Sequence, residues 1–271
     1  MKSIVEQYTR FEYKPWNKTY LFIGKDETLL EFGTIEMVRE KLAEVYGKPN
    51  AEKMAAGERK KEEFAKLPQS CPSNMYRITV AMHAYYDTYG SFPPAYTVDA
   101  DGNKLHSWRT LLLPFLEQNA LYKQIRLDEP WNSEHNRFYG KTIIPVYRCH
   151  NDAFSNNPNA VTPYSVVVGR ETPFMENGKT NGFRDITDGT CNTVCLVERA
   201  NPIPWMQPDD ITFEEAVKGV GVSEKGIGNI HGDGCYITLC DGSVKFLKKS
   251  VDLKNFRAVL TKDGGESLTI D

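Results

Sequence analysis

Residues 235–247 read Cys235-Tyr236-Ile237-Thr238-Leu239-Cys240-Asp241-Gly242-Ser243-Val244-Lys245-Phe246-Leu247. Two runs rich in β-branched and aromatic residues flank Asp-Gly, a dipeptide that accepts the backbone angles of a tight hairpin turn. The segment predicts an antiparallel hairpin. Working back from it, Thr142 to Cys149, Tyr164 to Gly169, Thr193 to Glu198 and Gly234 to Cys240 share the same β texture. Ahead of them the periodicity is helical. Pro68 and Pro72 mark a break, and Ser73 is placed to cap a helix carrying Met75, Ile78, Met82, Tyr85, Tyr86 and Tyr89 on one side. Gly90 closes it, and Ser91-Phe92-Pro93-Pro94 forces an extended exit. Helices first and an antiparallel sheet afterwards make an α+β layout.

Smaller signals fill the gaps. Asp99-Ala100-Asp101-Gly102-Asn103 reads as a polar turn. Ser107 is placed to cap a short helix through Trp108 and Arg109, which Pro114 should kink or split. Ser250 is placed to cap a last helix with Leu253, Phe256 and Leu260, stopped by Gly264-Gly265. Near the N-terminus, Tyr20 to Gly33 reads as a hairpin around Lys25-Asp26-Glu27. Ile35, Val38, Leu42, Val45 and Tyr46 then recur at helical spacing, making a β-β-α unit over residues 1–48. Residues 49–70 read as a charged helical connector with a thin apolar face. Residues 71–271 form the main domain.

Bulk properties exclude several function classes. The 271 residues are 40% hydrophobic and 25% charged, enough for a sizeable core. The formal net charge of -3 offers no general attraction to nucleic acid or anionic lipid. The longest greasy run, Leu111-Leu112-Leu113-Pro114-Phe115-Leu116, is far too short to span a bilayer. The N-terminus has no apolar signal core. Six cysteines permit up to three disulfides in fifteen connectivities, or a set of small buried residues.

Candidate sites can be weighed on geometry. His231 and Asp241 suggest a catalytic pair. If the residues between them are extended, about 3.3 Å per residue puts them on the order of 30 Å apart. That reads as turn chemistry for Asp241-Gly242 and a residue leading into a strand for His231. Cys191 and Cys195, four apart on a strand, would have alpha carbons about 13 Å apart, too far to share a zinc ion. Cys235 and Cys240 point to opposite faces, and Cys149-His150 is not a usual ligand pair. No metal or other cofactor is therefore expected. Asp99 and Asp101 offer clustered oxygens, but without the bidentate Glu of a calcium loop they read as a turn. Ser73, Ser107 and Ser165 lack a nucleophile elbow, and Gly219-Val220-Gly221 lacks a phosphate-loop frame. Trp108-Arg109 reads as a packing element, with Arg109 paired to a carboxylate such as Asp185 or Asp188. Trp131 and Trp205, in Pro-containing loops, are the candidates for ligand contact.

Several blocks together resemble one family. They are His83 to Pro94, Ser107 to Gln118, Asp128-Glu129-Pro130-Trp131-Asn132-Ser133, Ile144 to Cys149, Arg184-Asp185-Ile186-Thr187-Asp188-Gly189-Thr190, and His231 followed after nine residues by Asp241-Gly242. In this order they resemble domain of unknown function 1559, the prepilin-type processing-associated His–nine residues–Asp-Gly proteins, over about Cys71 to Glu266. The resemblance implies a pilin-like helix packed on an antiparallel sheet and a pseudopilin-related setting in the cell envelope, as in planctomycete-type bacteria. It implies a non-enzymatic structural or interaction protein whose partners are other proteins, by self-assembly or with envelope components. His231, Asp241, Gly242, Trp108, Arg109, Asp185, Asp188 and Gly189 are then motif residues that shape the fold. The alternative is an extracellular ligand- or glycan-binding module using aromatic loops, and a hydrolase or other enzyme is the third reading. The chain departs from the family in lacking the leader and apolar half-helix, in Cys191 and Cys195, and in His150. Without an export signal, a cytoplasmic location is the other expectation.

Overall fold

The computed structural model describes residues 8–14, 19–24, 29–33, 70–149 and 159–265. The chain divides into two compact units, Met1–Leu67 and Pro68–Asp271. In the first, strands β1 (Tyr8–Lys14), β2 (Thr19–Gly24) and β3 (Leu29–Gly33) form an antiparallel sheet in that order. The hairpin expected over Tyr20 to Gly33 is β2 and β3, and β1 adds a strand that the periodicity did not suggest. The helices expected over 35–46 and 50–66 lie outside the described residues.

The second unit opens with α1 (Cys71–Tyr89). Its cap is Ser70 rather than Ser73: the Ser70 hydroxyl accepts the Ser73 backbone N–H. Pro72 falls in the first turn, where a missing N–H costs nothing, so it starts the helix instead of breaking it. Gly90 closes the helix in the left-handed conformation at φ 76°. Next come β4 (Tyr96–Val98), β5 (Lys104–Ser107) and α2 (Trp108–Leu111), the last capped by the Ser107 hydroxyl. Pro114 begins a separate 3-10 turn, Leu113–Leu116. Two short helices follow, α3 (Asn119–Tyr122) and α4 (Glu134–Tyr139). The segment from Thr142 to Cys149 is not a strand. Pro145–Tyr147 is a 3-10 turn, because Pro145 favours a helical start and removes a ladder donor.

The remaining strands and α-helices among the described residues are β6 (Val161–Ser165), β7 (Val167–Val168), β8 (Val194–Pro204), β9 (Ile211–Thr212), α5 (Phe213–Ala216), β10 (Gly234–Leu239), β11 (Val244–Lys248) and α6 (Leu253–Leu260). The cap of α6 is Asp252, which accepts from Asn255 N, and not Ser250. The main sheet is antiparallel in the order β11-β10-β8-β6, and β10–β11 is the Asp-Gly hairpin. Gly242 holds its turn at φ 89°, a conformation that other residues strain to adopt.

The sheet is the middle layer of this unit. Along β10, successive side chains alternate between faces. The Thr238 hydroxyl meets Thr79 of α1 at 2.9 Å, while Cys235, Ile237 and Leu239 join a second core with Phe256, Val259 and Leu260 of α6. On the α1 side, Met75, Ile78 and Met82 pack with Leu196, Tyr164 and Trp108. Tyr85 and Tyr86 are half-buried and Tyr89 is 62% exposed, so the expected stripe is core for its first half only.

One buried ion pair ties the loops to this core. The guanidinium of Arg109, wholly buried, bonds Asp210 at 2.7 Å, the Tyr164 carbonyl at 2.7 and 3.0 Å, and the Ser107 hydroxyl at 2.8 Å. Asp210 also accepts the Trp108 indole N–H and the Val166 backbone N–H, each at 3.1 Å. Burial pushes the Asp210 carboxyl upward, against the pull of Arg109. Removing one partner would leave the other charge uncompensated. Asp210→Ala is expected to destabilise the unit by about 3–5 kcal/mol in chemical denaturation, and the double variant Arg109→Met/Asp210→Ala by less. Equal losses in the single and double variants would contradict this coupling.

Candidate functional site

The first residue of α1, the stretch just after the Pro145–Tyr147 turn, the middle of β8 and the turn before β10 converge on one buried point. They bring Cys71, Cys149, Glu198 and His231 together, with one ligand-capable atom from each and all of these within 4.8 Å of one another. Cys71 Sγ lies 2.8 Å from Cys149 Sγ, although 78 residues separate them. His231 Nε2 lies 3.0 Å from Glu198 Oε1 and 4.0 Å from Cys149 Sγ. Cys71, Cys149 and Glu198 are buried, and the His231 side chain is 18% exposed.

Local chain geometry explains each position. Glu198 follows Leu196 on the α1-facing side of β8 and pairs in register with Tyr164 of β6. Its second oxygen, Oε2, accepts the Tyr236 backbone N–H at 2.7 Å, which fixes the carboxylate plane. His231 sits in a turn closed by its own N–H bonding the Gly234 carbonyl at 3.1 Å, and its ring stands edge-on to Tyr236 at 4.9 Å. Asn74, one turn into α1, donates to the Arg148 carbonyl at 2.9 Å and so holds the Cys149 loop against the helix. The Tyr164 hydroxyl donates to the same carbonyl at 3.2 Å and reaches the Cys71 sulfur.

Electrostatics follow from this packing. Burial raises the Glu198 carboxyl, opposed by the hydrogen bond and charge of His231. Hydrogen bonding to Cys71, then to Glu198, pushes His231 up to about 10. Because the Tyr236 N–H favours the carboxylate, the shared proton rests on the imidazole. Burial holds the Tyr164 hydroxyl well above its usual range. Two thiol groups, an imidazole and a carboxylate are the donor types that hold a transition metal.

The motif residues fall elsewhere or in other roles. His231 does enter the cluster, but its carboxylate partner is Glu198. Asp241 instead accepts Ser243 N at 2.8 Å and Ser243 Oγ at 2.6 Å, which shapes the hairpin turn with Gly242. Arg109 pairs with Asp210, not with Asp185 or Asp188. Asp185 accepts Gly182 N at 2.7 Å, and Asp188 accepts Gly264 N and Gly265 N at 2.7 and 2.9 Å. Gly189 makes its turn at φ 94°. Asp99 accepts the Asp101 and Asn103 backbone N–H groups at 3.0 and 2.8 Å, as a turn does. Trp205 is 1% exposed and donates to the Thr142 carbonyl, so it is core and not a ligand contact. Trp131 is half-buried and lines a cavity of ≈ 520 Å³ with Arg137, Lys141, Asn159, Pro204 and Met206.

The expected cysteine geometry also changes. Cys191 lies in the turn before β8, not on a strand, and is exposed. Cys195 donates to Met82 Sδ at 3.5 Å. His150 lies outside the described residues. Spacing between cysteines close in sequence carries no sign of the cluster, which joins segments whose proximity only the tertiary fold creates.

The second unit is thus an α+β protein with its first helix, α1, against one face of a four-stranded antiparallel sheet and a buried Cys-Cys-Glu-His cluster at the start of that helix. The chain belongs to the family described as "Protein of unknown function (DUF1559)", whose model matches residues 69–229, more than half its length. Cys71, Cys149 and Glu198 lie inside the match, and His231 lies two residues beyond it. No curated protein and no solved structure matches the chain.

Exposure separates the thiols. Native protein is expected to show one fast-reacting thiol toward an aromatic disulfide reagent, lost in Cys191→Ser. Cys195, Cys235 and Cys240 are buried, and burial raises Cys235 and Cys240, so these three should react only on unfolding. A fast phase that survives Cys191→Ser would contradict the assignment.

Proposed function

We propose that the protein is a non-enzymatic structural or interaction module, pilin-like in architecture, that works in the cell envelope or in a secretion-linked assembly. The observation that carries this reading is the use made of the motif residues. Asp241 and Gly242 build a hairpin turn, Arg109 holds buried loops to the sheet, and His231 is tied to a buried carboxylate. Each spends its polar atoms on the fold. The C-terminal half of α1 supports an interaction role, because Tyr85, Tyr89 and Phe115 form an aromatic cluster at centroid distances of 4.4, 5.7 and 6.2 Å, with Tyr89 62% exposed. Exposed aromatics favour partner contacts. The tagged full chain in its native host should fractionate with the envelope and cross-link to envelope components or to itself. Recovery in the soluble cytoplasmic fraction without cross-links would sink the proposal.

The Trp131 cavity favours a second reading, as a module for a glycan or similar ligand. An amphipathic ring beside Arg137, Lys141 and Asn159 suits a hydroxyl-rich ligand. Intrinsic fluorescence should then change on adding a matching oligosaccharide and should not change in Trp131→Ala. A flat response across a broad glycan panel counts against it.

A further inference from the structure

We propose that Cys71, Cys149, Glu198 and His231 form a four-ligand site for a divalent transition-metal ion, zinc being the best chemical fit, which fastens the start of α1 to the sheet. This goes beyond the envelope reading and does not depend on it.

Geometry comes first. Around a tetrahedral zinc ion, sulfur at about 2.3 Å and nitrogen or oxygen at about 2.0–2.2 Å leave neighbouring ligands roughly 3.3–3.8 Å apart. The observed separations of 2.8, 3.0 and 4.0 Å, with none above 4.8 Å, bracket that range. Small side-chain adjustments, with release to solvent of the proton on His231 Nε2 and of the two thiol protons, would place all four donors around one centre. The four residues come from separate segments of the chain, so the convergence is a product of the fold and not of local sequence.

Donor chemistry selects the ion. Two sulfurs and an imidazole favour zinc over calcium or magnesium, which prefer oxygen ligands. A set of four protein ligands is the closed type found at structural sites. The surroundings orient the ligands, as outer hydrogen bonds do at metal sites. The Tyr236 N–H holds Glu198 Oε2, leaving Oε1 toward the centre. The Arg148 carbonyl, held by Asn74 and by Tyr164, sets the backbone at Cys149. His231, the one partly exposed member, gives an ion a way in. The competing chemistry is a Cys71–Cys149 disulfide, which would remove both sulfur ligands. It would give no reason for Glu198 and His231 to converge on the same pair.

The test uses the full chain purified under reducing conditions without chelator. Elemental analysis should find one zinc per chain. After chelator treatment, added cobalt(II) should give the sulfur-to-cobalt charge-transfer band and the intense visible bands of a tetrahedral site, both lost on adding zinc. His231→Ala, at the partly exposed position, should weaken zinc binding by at least about 100-fold, since even outer partners are worth 10–100-fold. Cys191→Ser should leave stoichiometry unchanged. The cobalt spectrum is read on the unmodified chain, so a variant that fails to fold does not decide the matter. Three results would each overturn the proposal. They are a chain that takes up neither ion, a Cys71–Cys149 cross-link that persists under reduction, and zinc retained equally by wild type and a folded His231→Ala.

Discussion

Glu198 is a carboxylate with no exposed surface, placed on the longest strand of the main sheet. A buried charge of this kind is tolerated only when the fold supplies partners on every side. Here they come from distant segments. His231 brings a cation to Oε1, and the Tyr236 backbone N–H binds Oε2. These two contacts hold the turn before β10 to β8. The helix side of the same point is filled by Cys71 and Cys149, whose loop is clasped by Asn74. Layer order, the register between β8 and β10, and the docking of α1 all meet at this carboxylate.

A second buried charge does for the loops what Glu198 does for the layers. Between β5 and β10 the chain carries long irregular stretches with little repetitive hydrogen bonding of their own. Arg109 gathers them with a rigid fork of donors that reaches Ser107, Tyr164 and Asp210 at once. Asp210 returns bonds to Trp108 and Val166. The Tyr147 hydroxyl donates to the Arg109 carbonyl at 2.8 Å, so the Pro145–Tyr147 turn is bound to the same group. These bonds satisfy the guanidinium of an arginine that is buried completely.

Legibility in the sequence followed the range of the physics involved. The Asp-Gly hairpin, the Gly90 stop and the Ser107 cap are set by residues within a few positions of each other, and each could be read directly. The cap of α1, Ser70, lies three residues ahead of the Ser73 that the sequence suggests, because Pro72 looks like a breaker until its position in the first turn is known. Thr142 to Cys149 has strand-like composition, but Pro145 and the pull of buried Tyr147 turn it into a 3-10 segment. Arg109 visibly needed a carboxylate, yet which one depended on the path of the loop that carries Asp210. The buried cluster was the least readable feature, since a strand rise along His231 to Asp241 says nothing about Glu198, which approaches from the neighbouring strand.

The two buried polar centres are not independent, because one residue of β6 belongs to both. The Tyr164 carbonyl accepts two bonds from Arg109, while its hydroxyl donates to Arg148 and reaches Cys71. Its backbone is in register with Glu198 itself. Tyrosine suits this position because its rigid ring spans the apolar layer and carries a polar atom at the far end. A shift of the Arg109 fork would move the Tyr164 main chain, and with it the hydroxyl that sets the Cys149 loop. Any ligand or bond that tightens the cluster should therefore also tighten the loops around Asp210. On that argument the cluster and the Arg109 network act as one cooperative element, and the helix cannot leave the sheet without disturbing both.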